Sequence, residues 1–239
     1  MGLSALQLDP ILENTAIAHS KDMALRQFFA HTNPDGQNPN ARYQLRGGFG
    51  TVGENIVVES QIEAAHRQLM SSPGHRANIL RADSTHVGIG VYYAKGQYYI
   101  TQVFQSRPPS QDIRLLKERL GNWLDSYRAD QRLGILLQDD RLQRVNQDYT
   151  LQMAQKDHLD YQGTRGLGVL YMEQGGHYQQ MNTIVLTARN FEDITRKLEK
   201  YARLLADERW ERYGLGIVQA NSKTQGHNLL WVTLGLARD

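Results

Sequence analysis

Gly53-Glu54-Asn55-Ile56 is followed, nineteen residues after its first glycine, by Ser72-Pro73-Gly74-His75-Arg76-Ala77-Asn78-Ile79-Leu80. Neither segment has the periodicity of a plain helix or strand, and each sets a proton-transferring or metal-capable side chain beside a glycine, where the backbone turns sharply. Both are therefore expected to be turns or element ends. A third such residue, His31, lies upstream in Phe28-Phe29-Ala30-His31-Thr32-Asn33-Pro34-Asp35-Gly36. A histidine, a glutamate and a second histidine, each on a turn, are expected to converge on one cleft. The chemistry lies wholly in the first half of the chain.

Working outward, 239 residues allow one large domain or two smaller ones. An apolar content of 40% and a charged content of 22% predict a packed core rather than disorder. The net charge is +2, split evenly as +1 before and +1 after residue 109, so neither half has the basic excess that nucleic acid or an anionic membrane attracts. There is no cysteine, which excludes disulfides, thiolate chemistry and cysteine-ligated zinc. No apolar run is long enough for a transmembrane helix, and Met1-Gly2-Leu3-Ser4 is not a signal peptide. If the natural protein is exported, that segment has been removed from this chain.

Gln105-Ser106-Arg107-Pro108-Pro109-Ser110-Gln111-Asp112 is the linker candidate, because Pro-Pro continues neither a strand nor a helix. The expected organisation is a domain over 1–106, a linker over 107–112 and a second domain over 113–239. The halves repeat the same order of parts. Asp9 caps a helix with Pro10 at its first position, and Leu12, Ala16, Met23 and the Phe28-Phe29 pair supply much of its apolar face. Shifted by 130, Asp139 is the cap and Leu142, Met153, Ala154 and Leu159 match. Val87–Val91 and Tyr98–Phe104 read as a hairpin turning at Lys95-Gly96; Tyr213–Ile217 and Leu229–Thr233 repeat it. Helices are expected over Ile62–Met70 and Phe191–Leu205. Duplication explains this order better than two unrelated domains. The second half has an additional helix, Ile113–Tyr127, carrying Leu116, Leu120 and Leu124. A first domain without it is expected to expose apolar surface, unless another element covers that face.

Together these segments resemble the CAP superfamily: cysteine-rich secretory proteins, insect venom antigen-5-like proteins and plant pathogenesis-related class 1 proteins. The likeness is to the cysteine-free bacterial branch. It is carried by Leu6–Pro10, His19–Ala24, Phe28–Gly36, Gly53–Ile56, Ser72–Leu80, Thr85–Val91 and Tyr99–Phe104, seven segments in order. The resemblance implies an α+β fold of two tandem α–β–α sandwich domains, each with a small, mostly antiparallel sheet flanked by helices. It also implies a cleft of two histidines and two acidic residues that binds a divalent cation in some members. Carried over by position, these are His31, Glu54 and His75. The fourth position falls at Ser72, where many relatives have glutamate. The departure removes one anionic ligand and leaves two histidines and one carboxylate. In the second half His31 aligns with Tyr161, Glu54 with Met181, Asn182 or Thr183, and His75 with Tyr201, which implies a degenerate copy without a site.

Two imidazoles and a carboxylate suit zinc, the most plausible divalent metal here, and leave positions for water. A metal-bound water then becomes a nucleophile. The competing reading is a satisfied polar cleft that holds loops together. Asn55, Ser72, Arg76, Asn78 and Gln102 are the supporting cleft residues. Each has a plainer reading: backbone bonding in turns for Asn55 and Asn78, a helix end for Ser72, an exposed ion partner for Arg76, a core amide for Gln102. His19 reads as solvent-facing or capped by a neighbour, and His86 as preceding a strand. The tyrosines of Tyr92-Tyr93 and Tyr98-Tyr99 form a hairpin stripe, either cross-strand packing or a carbohydrate or partner surface.

The sequence assigns no catalytic residue. The first functional reading is an exported bacterial binding or scaffold module, secreted, periplasmic or on the cell surface. Its partner is a lipid, a cell-wall component or a protein, with no nucleic acid and no integral membrane segment. The alternative is a metal-dependent hydrolase using His31, Glu54 and His75.

Overall fold

The computed structural model describes residues 2–160, 164–173 and 175–239. The chain divides into two compact units. One comprises the residues up to Arg107 together with Lys223–His227; the other comprises Pro108–Ser222 and Asn228–Asp239. Among the described residues, no helix is long and apolar enough to cross a membrane.

In the first unit the order is β1 (Gln7–Leu8), α1 (Pro10–Arg26), α2 (Pro39–Gln44), β2 (Gly53–Glu59), α3 (Ile62–Ser71), α4 (Pro73–Ile79), β3 (His86–Ala94) and β4 (Gln97–Gln105). The sheet runs β1-β3-β4-β2, with β1 parallel to β3 and the other pairs antiparallel. The Asp9 carboxylate accepts from the main-chain N–H of Ile11 and Leu12 and so starts α1, with Pro10 at its first position. Leu12, Ala16, His19, Ser20 and Met23 form its buried stripe. α1 ends earlier than its apolar pattern suggests: Gln27 turns left-handed at φ 56°, so Phe28 and Phe29 lie beyond the helix, and Phe29 is 57% exposed. α1 lies on β3 because Gly88 and Gly90 carry no side chain there. A Cβ on Gly90 would sit 2.1 Å from the main chain of Ala16 and Ile17. Lys95 and Gly96, at φ 52° and 77°, make the tight turn between β3 and β4.

The two segments expected to be turns or element ends each open an element of regular structure. Gly53–Ile56 opens β2, because these residues pair with Phe104 back to Thr101 on β4. Pro73–Ile79 is a helix, with Pro73 in its first turn and Ser72 preceding it without a side-chain cap bond.

The second unit contains α5 (Ile113–Asp130), β5 (Leu137–Gln138), α6 (Asp140–Lys156), α7 (Thr164–Glu173), β6 (Gln180–Ala188) and α8 (Phe191–Leu198). A short 3₁₀ turn (Glu199–Tyr201), α9 (Ala202–Leu205), β7 (Arg212–Ser222) and β8 (Gly226–Arg238) complete it. The helix expected over Phe191–Leu205 is therefore broken into three pieces. The sheet runs β5-β7-β8-β6, again with the short first strand parallel to its neighbour. Both faces are packed. Leu230, Val232, Leu234 and Leu236 join Leu116, Leu120 and Leu124 of α5, whereas Leu229 and Trp231 join Leu142 and Tyr149 of α6. That is why β8 reads as a near-continuous apolar run.

Among its described residues the first unit has no counterpart of α5, and one stripe of its sheet is open. Ile89, Val91 and Tyr93 alternate along one face of β3 and are all exposed, Val91 by 44%. Leu215 and Ile217 of β7, which hold the matching places beside the second Gly-x-Gly, are buried in the core cluster that includes α5.

Candidate functional site

Glu54 sits second in β2, opposite Val103 of β4, and its side chain is almost fully buried. Its two oxygens take different partners. Arg42, the fourth residue of α2, donates from Nη2 to Oε2 at 2.6 Å. His31, in the loop after α1, lies with Nδ1 2.9 Å from Oε1. An ionised carboxylate only accepts, so Nδ1 carries the hydrogen and Nε2 is left as the basic nitrogen. The His31 side chain is 51% exposed, so that nitrogen is within reach of solvent.

Arg42 organises the loop as well as the carboxylate. Its Nη1 donates to the carbonyls of His31 and Gln37, at 2.7 Å each. Charge-assisted bonds of this kind are the strong ones in a protein interior. His19 closes the group from α1, with Nε2 3.1 Å from the Ala30 carbonyl and 3.9 Å from Glu54 Oε1. A carbonyl only accepts, so Nε2 donates, and Nδ1 is buried without a hydrogen-bond partner. His19 is therefore not solvent-facing; it is fully buried. Burial, then the Arg42 guanidinium, push its pKa down to about 4.

Asn55, the next residue of β2, faces the opposite side of the sheet. Its Nδ2 donates to the His75 carbonyl at 3.0 Å and to Gln102 Oε1 at 3.1 Å, and its Oδ1 accepts from Asn78 at 2.8 Å. Asn78 also approaches the Glu54 carbonyl at 3.4 Å. Asn55, Asn78 and Gln102 are thus a side-chain network that clamps α4 to β2 and β4. Ser72 links α3 to α4, and Arg76 is exposed on α4.

The three residues expected to form one metal centre are brought together only in part. His31 and Glu54 meet. His75 is anchored through its main chain, and its Nδ1 is buried without a partner. Among the described residues, no group of three His, Cys, Asp or Glu side chains is placed to hold a metal ion. Glu54 has both oxygens committed, and a buried guanidinium beside it opposes a second cation. The residues as arranged do not fit a zinc site. Arg42 and His19 complete the group instead; His19 opens one of the CAP-like segments, whereas Arg42 lies outside all seven and carries no local sequence signal.

A second buried network lies in the same unit. Arg107 donates to Asp9 Oδ2, Gln105 Oε1 and the Tyr43 hydroxyl, and that hydroxyl also meets His227 Nε2 at 3.2 Å. Burial and Arg107 push His227 down to about 4 as well. Unfolded histidines protonate near pH 6.5, whereas His19 and His227 stay neutral in the fold until about pH 4. Between those values the unfolded chain binds more protons, so stability is full above pH 6.5 and falls as pH drops toward 4. Urea midpoints measured at intervals across that window are expected to fall less steeply for His19→Gln than for the wild type. Parallel profiles would remove His19 from the account.

Residues 1–104 match the model of the cysteine-rich secretory protein family, CAP. The uncharacterized protein YkwD of Bacillus subtilis (strain 168) is 36% identical over 106 residues, covering 42% of this chain and 40% of its own length. The uncharacterized membrane protein YlbC of the same strain is 33% identical over 110 residues, covering 44% and 30%. The chain therefore spans well under half the length of either. Among solved structures, an extracellular protein containing a SCP domain from Bacillus anthracis str. Ames is 36% identical. That match covers 44% of this chain and 35% of the other at a TM-score of 0.41. A cysteine-rich secretory protein from Staphylococcus aureus is 11% identical over 65% of this chain and 56% of its own, at a TM-score of 0.44. With the seven motif segments, the matched residues and the sheet they build, residues 1–104 are a CAP domain of the cysteine-rich secretory protein family.

Proposed function

We propose that the protein is a bacterial, extracytoplasmic binding module. Its CAP domain holds a closed polar network around Glu54, and its second unit is a degenerate copy that has lost that network. The observation that carries this reading is the commitment of Glu54: its two oxygens bond within the protein, Oε2 to Arg42 and Oε1 to His31. Export accords with a family of secretory proteins.

The degenerate-copy reading is supported residue by residue. Asp9 and Asp139 cap equivalent helices. Gly214 and Gly216 admit α6 as Gly88 and Gly90 admit α1. Ser20 bonds Thr101, and Thr150 bonds Thr233. His19 meets the Ala30 carbonyl, and Tyr149 donates to that of Asp160, both 130 residues on. The turn N–H groups of Gly47 and Gly48 close onto Gln44 and Tyr43 as those of Gly175 and Gly176 close onto Met172 and Tyr171.

On the duplication reading, the same register names the exchanged residues. Thr101 pairs with Ile56 and Thr233 with Val185, so Glu54 corresponds to Thr183 and the Asn55–Gln102 pair to Ile184–Leu234. Tyr43 corresponds to Tyr171, so Arg42 corresponds to Leu170. The ion pair and the amide clamp are absent together, while the bonds that build the scaffold are kept. Tyr161, the counterpart of His31, lies outside the described residues. Tyr201, near the counterpart of His75, falls in the 3₁₀ turn.

A metal-dependent hydrolase would require Glu54 to release Arg42 or His31 and the His75 imidazole to join them. The test is a turnover screen with ester, amide, glycoside and phosphate-ester substrates, with and without zinc, beside His31→Ala. No activity above the variant is expected. Turnover abolished by His31→Ala would overturn the binding-module reading.

A further inference from the structure

We propose that the CAP unit carries a second recognition site, for an acidic glycan, in a groove at the far end of β2 from Glu54. This rests on the reading of the protein as a binding module and names its ligand class. The groove has a volume of about 570 Å³, within the range of about 300–1,000 Å³ usual for small-ligand sites. Its lining combines aromatic rings and primary amides with Val58 and Lys95.

Aromatic rings in the lining come from Phe29, left exposed beyond the end of α1, its neighbour Phe28, and Tyr99 of β4. Three primary amides, of Gln27, Gln68 and Gln97, join them. Each amide offers a paired donor and acceptor, the complement of neighbouring hydroxyl and acetamido groups on a sugar, while the C–H face of a pyranose packs on an aromatic ring. A lipid tail would need an apolar lining without amides. The one charged residue in the lining is Lys95, and the lining includes no carboxylate, so the complementary ligand is a saccharide bearing carboxylates.

Two tight turns present part of this lining. Among described residues of this unit, Gln27 and Lys95 are the two non-glycine residues with positive φ, at 56° and 52°. Glycine or asparagine is favoured at a helix C-terminus and in a two-residue hairpin turn of this kind. Both sites instead hold long polar side chains, and both side chains line this groove. The left-handed turn itself recurs at Asp157, φ 51°, at the end of α6, so what is particular to this groove is its side chains. The second unit has Asp157, His158 and Leu159 at the places of Gln27, Phe28 and Phe29, so the aromatic and amide set belongs to the CAP unit alone.

The test is calorimetry on the full chain with two probes, a hyaluronan tetrasaccharide and a neutral N-acetylglucosamine tetramer. Saturable binding of the acidic probe is expected, tighter than the neutral one at low salt. Phe29→Ala is expected to weaken it about tenfold or more, as loss of a central aromatic contact does. Lys95→Gln is expected to abolish the preference for the acidic probe. Unchanged melting temperatures show that both variants fold. Saturation by neither probe, or an acidic-probe affinity indifferent to Phe29→Ala, overturns the inference and leaves the binding-module reading standing. Shortened probe recovered after titration would instead overturn the binding-module reading.

Discussion

Arg42→Met is expected to destabilise the protein by about 3–5 kcal/mol, because it leaves a buried carboxylate without its principal counter-charge. The Arg42 and Glu54 side chains are 3% and 1% exposed and bond at 2.6 Å. The same substitution frees the carbonyls of His31 and Gln37, which Arg42 holds together. His31 and His19 remain near the carboxylate, but neither is a fixed charge. The double variant Arg42→Met/Glu54→Leu removes both charges and is expected to recover much of the loss, since an apolar replacement of a buried pair is often nearly neutral. Urea denaturation of the two singles and the double gives the coupling directly. A loss below about 1 kcal/mol for Arg42→Met, the range of an exposed pair, would mean that the network is ornamental.

Gly90→Ala is expected to cost about 3 kcal/mol or more and to lower the yield of folded protein, by overpacking against something that cannot move. The added Cβ would meet the Ala16 carbonyl carbon and the Ile17 nitrogen at 2.1 Å. Those atoms are main chain of α1, so relief requires lifting the helix from the sheet. Lifting it would also break the bond from Ser20 to the Gly90 carbonyl. Gly216→Ala is expected to behave alike in the second unit, where Asn146 O lies 2.2 Å from the built atom. Gly74→Ala is the control. It lies inside α4 with nothing within 4 Å of a built Cβ, and is expected to be neutral or stabilising by up to about 1 kcal/mol. Thermal melts of the three variants decide the matter. Equal, small shifts would show that the close approach of helix and strand is not what fixes these glycines.

The sequence exposed the frame better than the site, for physical reasons. Asp9-Pro10 and Asp139 are legible as helix starts because capping is local, and Lys95-Gly96 is legible as a turn because positive φ is local. The end of α1 was not legible. The apolar pattern runs on through Phe28 and Phe29, and only the left-handed turn at Gln27 stops the helix and exposes Phe29. Glycine misled twice. Gly53 is the first residue of a strand held by seven cross-strand pairs with β4, and Gly74 follows a proline that starts a helix. His31 and Glu54 stood out by residue type, and they do meet. Arg42 and His19 did not stand out, because each acts through tertiary contact with β2 from a helix whose own pattern gives no sign of it. His75 stood out by motif, yet the fold holds it through its carbonyl. Alternation along β2 explains the division: Glu54 turns toward α1 and α2, and Asn55 turns toward α4.

The account stands or falls on Glu54 being committed to Arg42 and His31 rather than open to a cation. The direct measurement is a zinc titration by calorimetry on this chain beside His75→Ala. No saturable one-site heat is expected from either protein. Saturable one-site binding that disappears in His75→Ala would contradict the account and establish a metal centre that draws Glu54 away from its guanidinium.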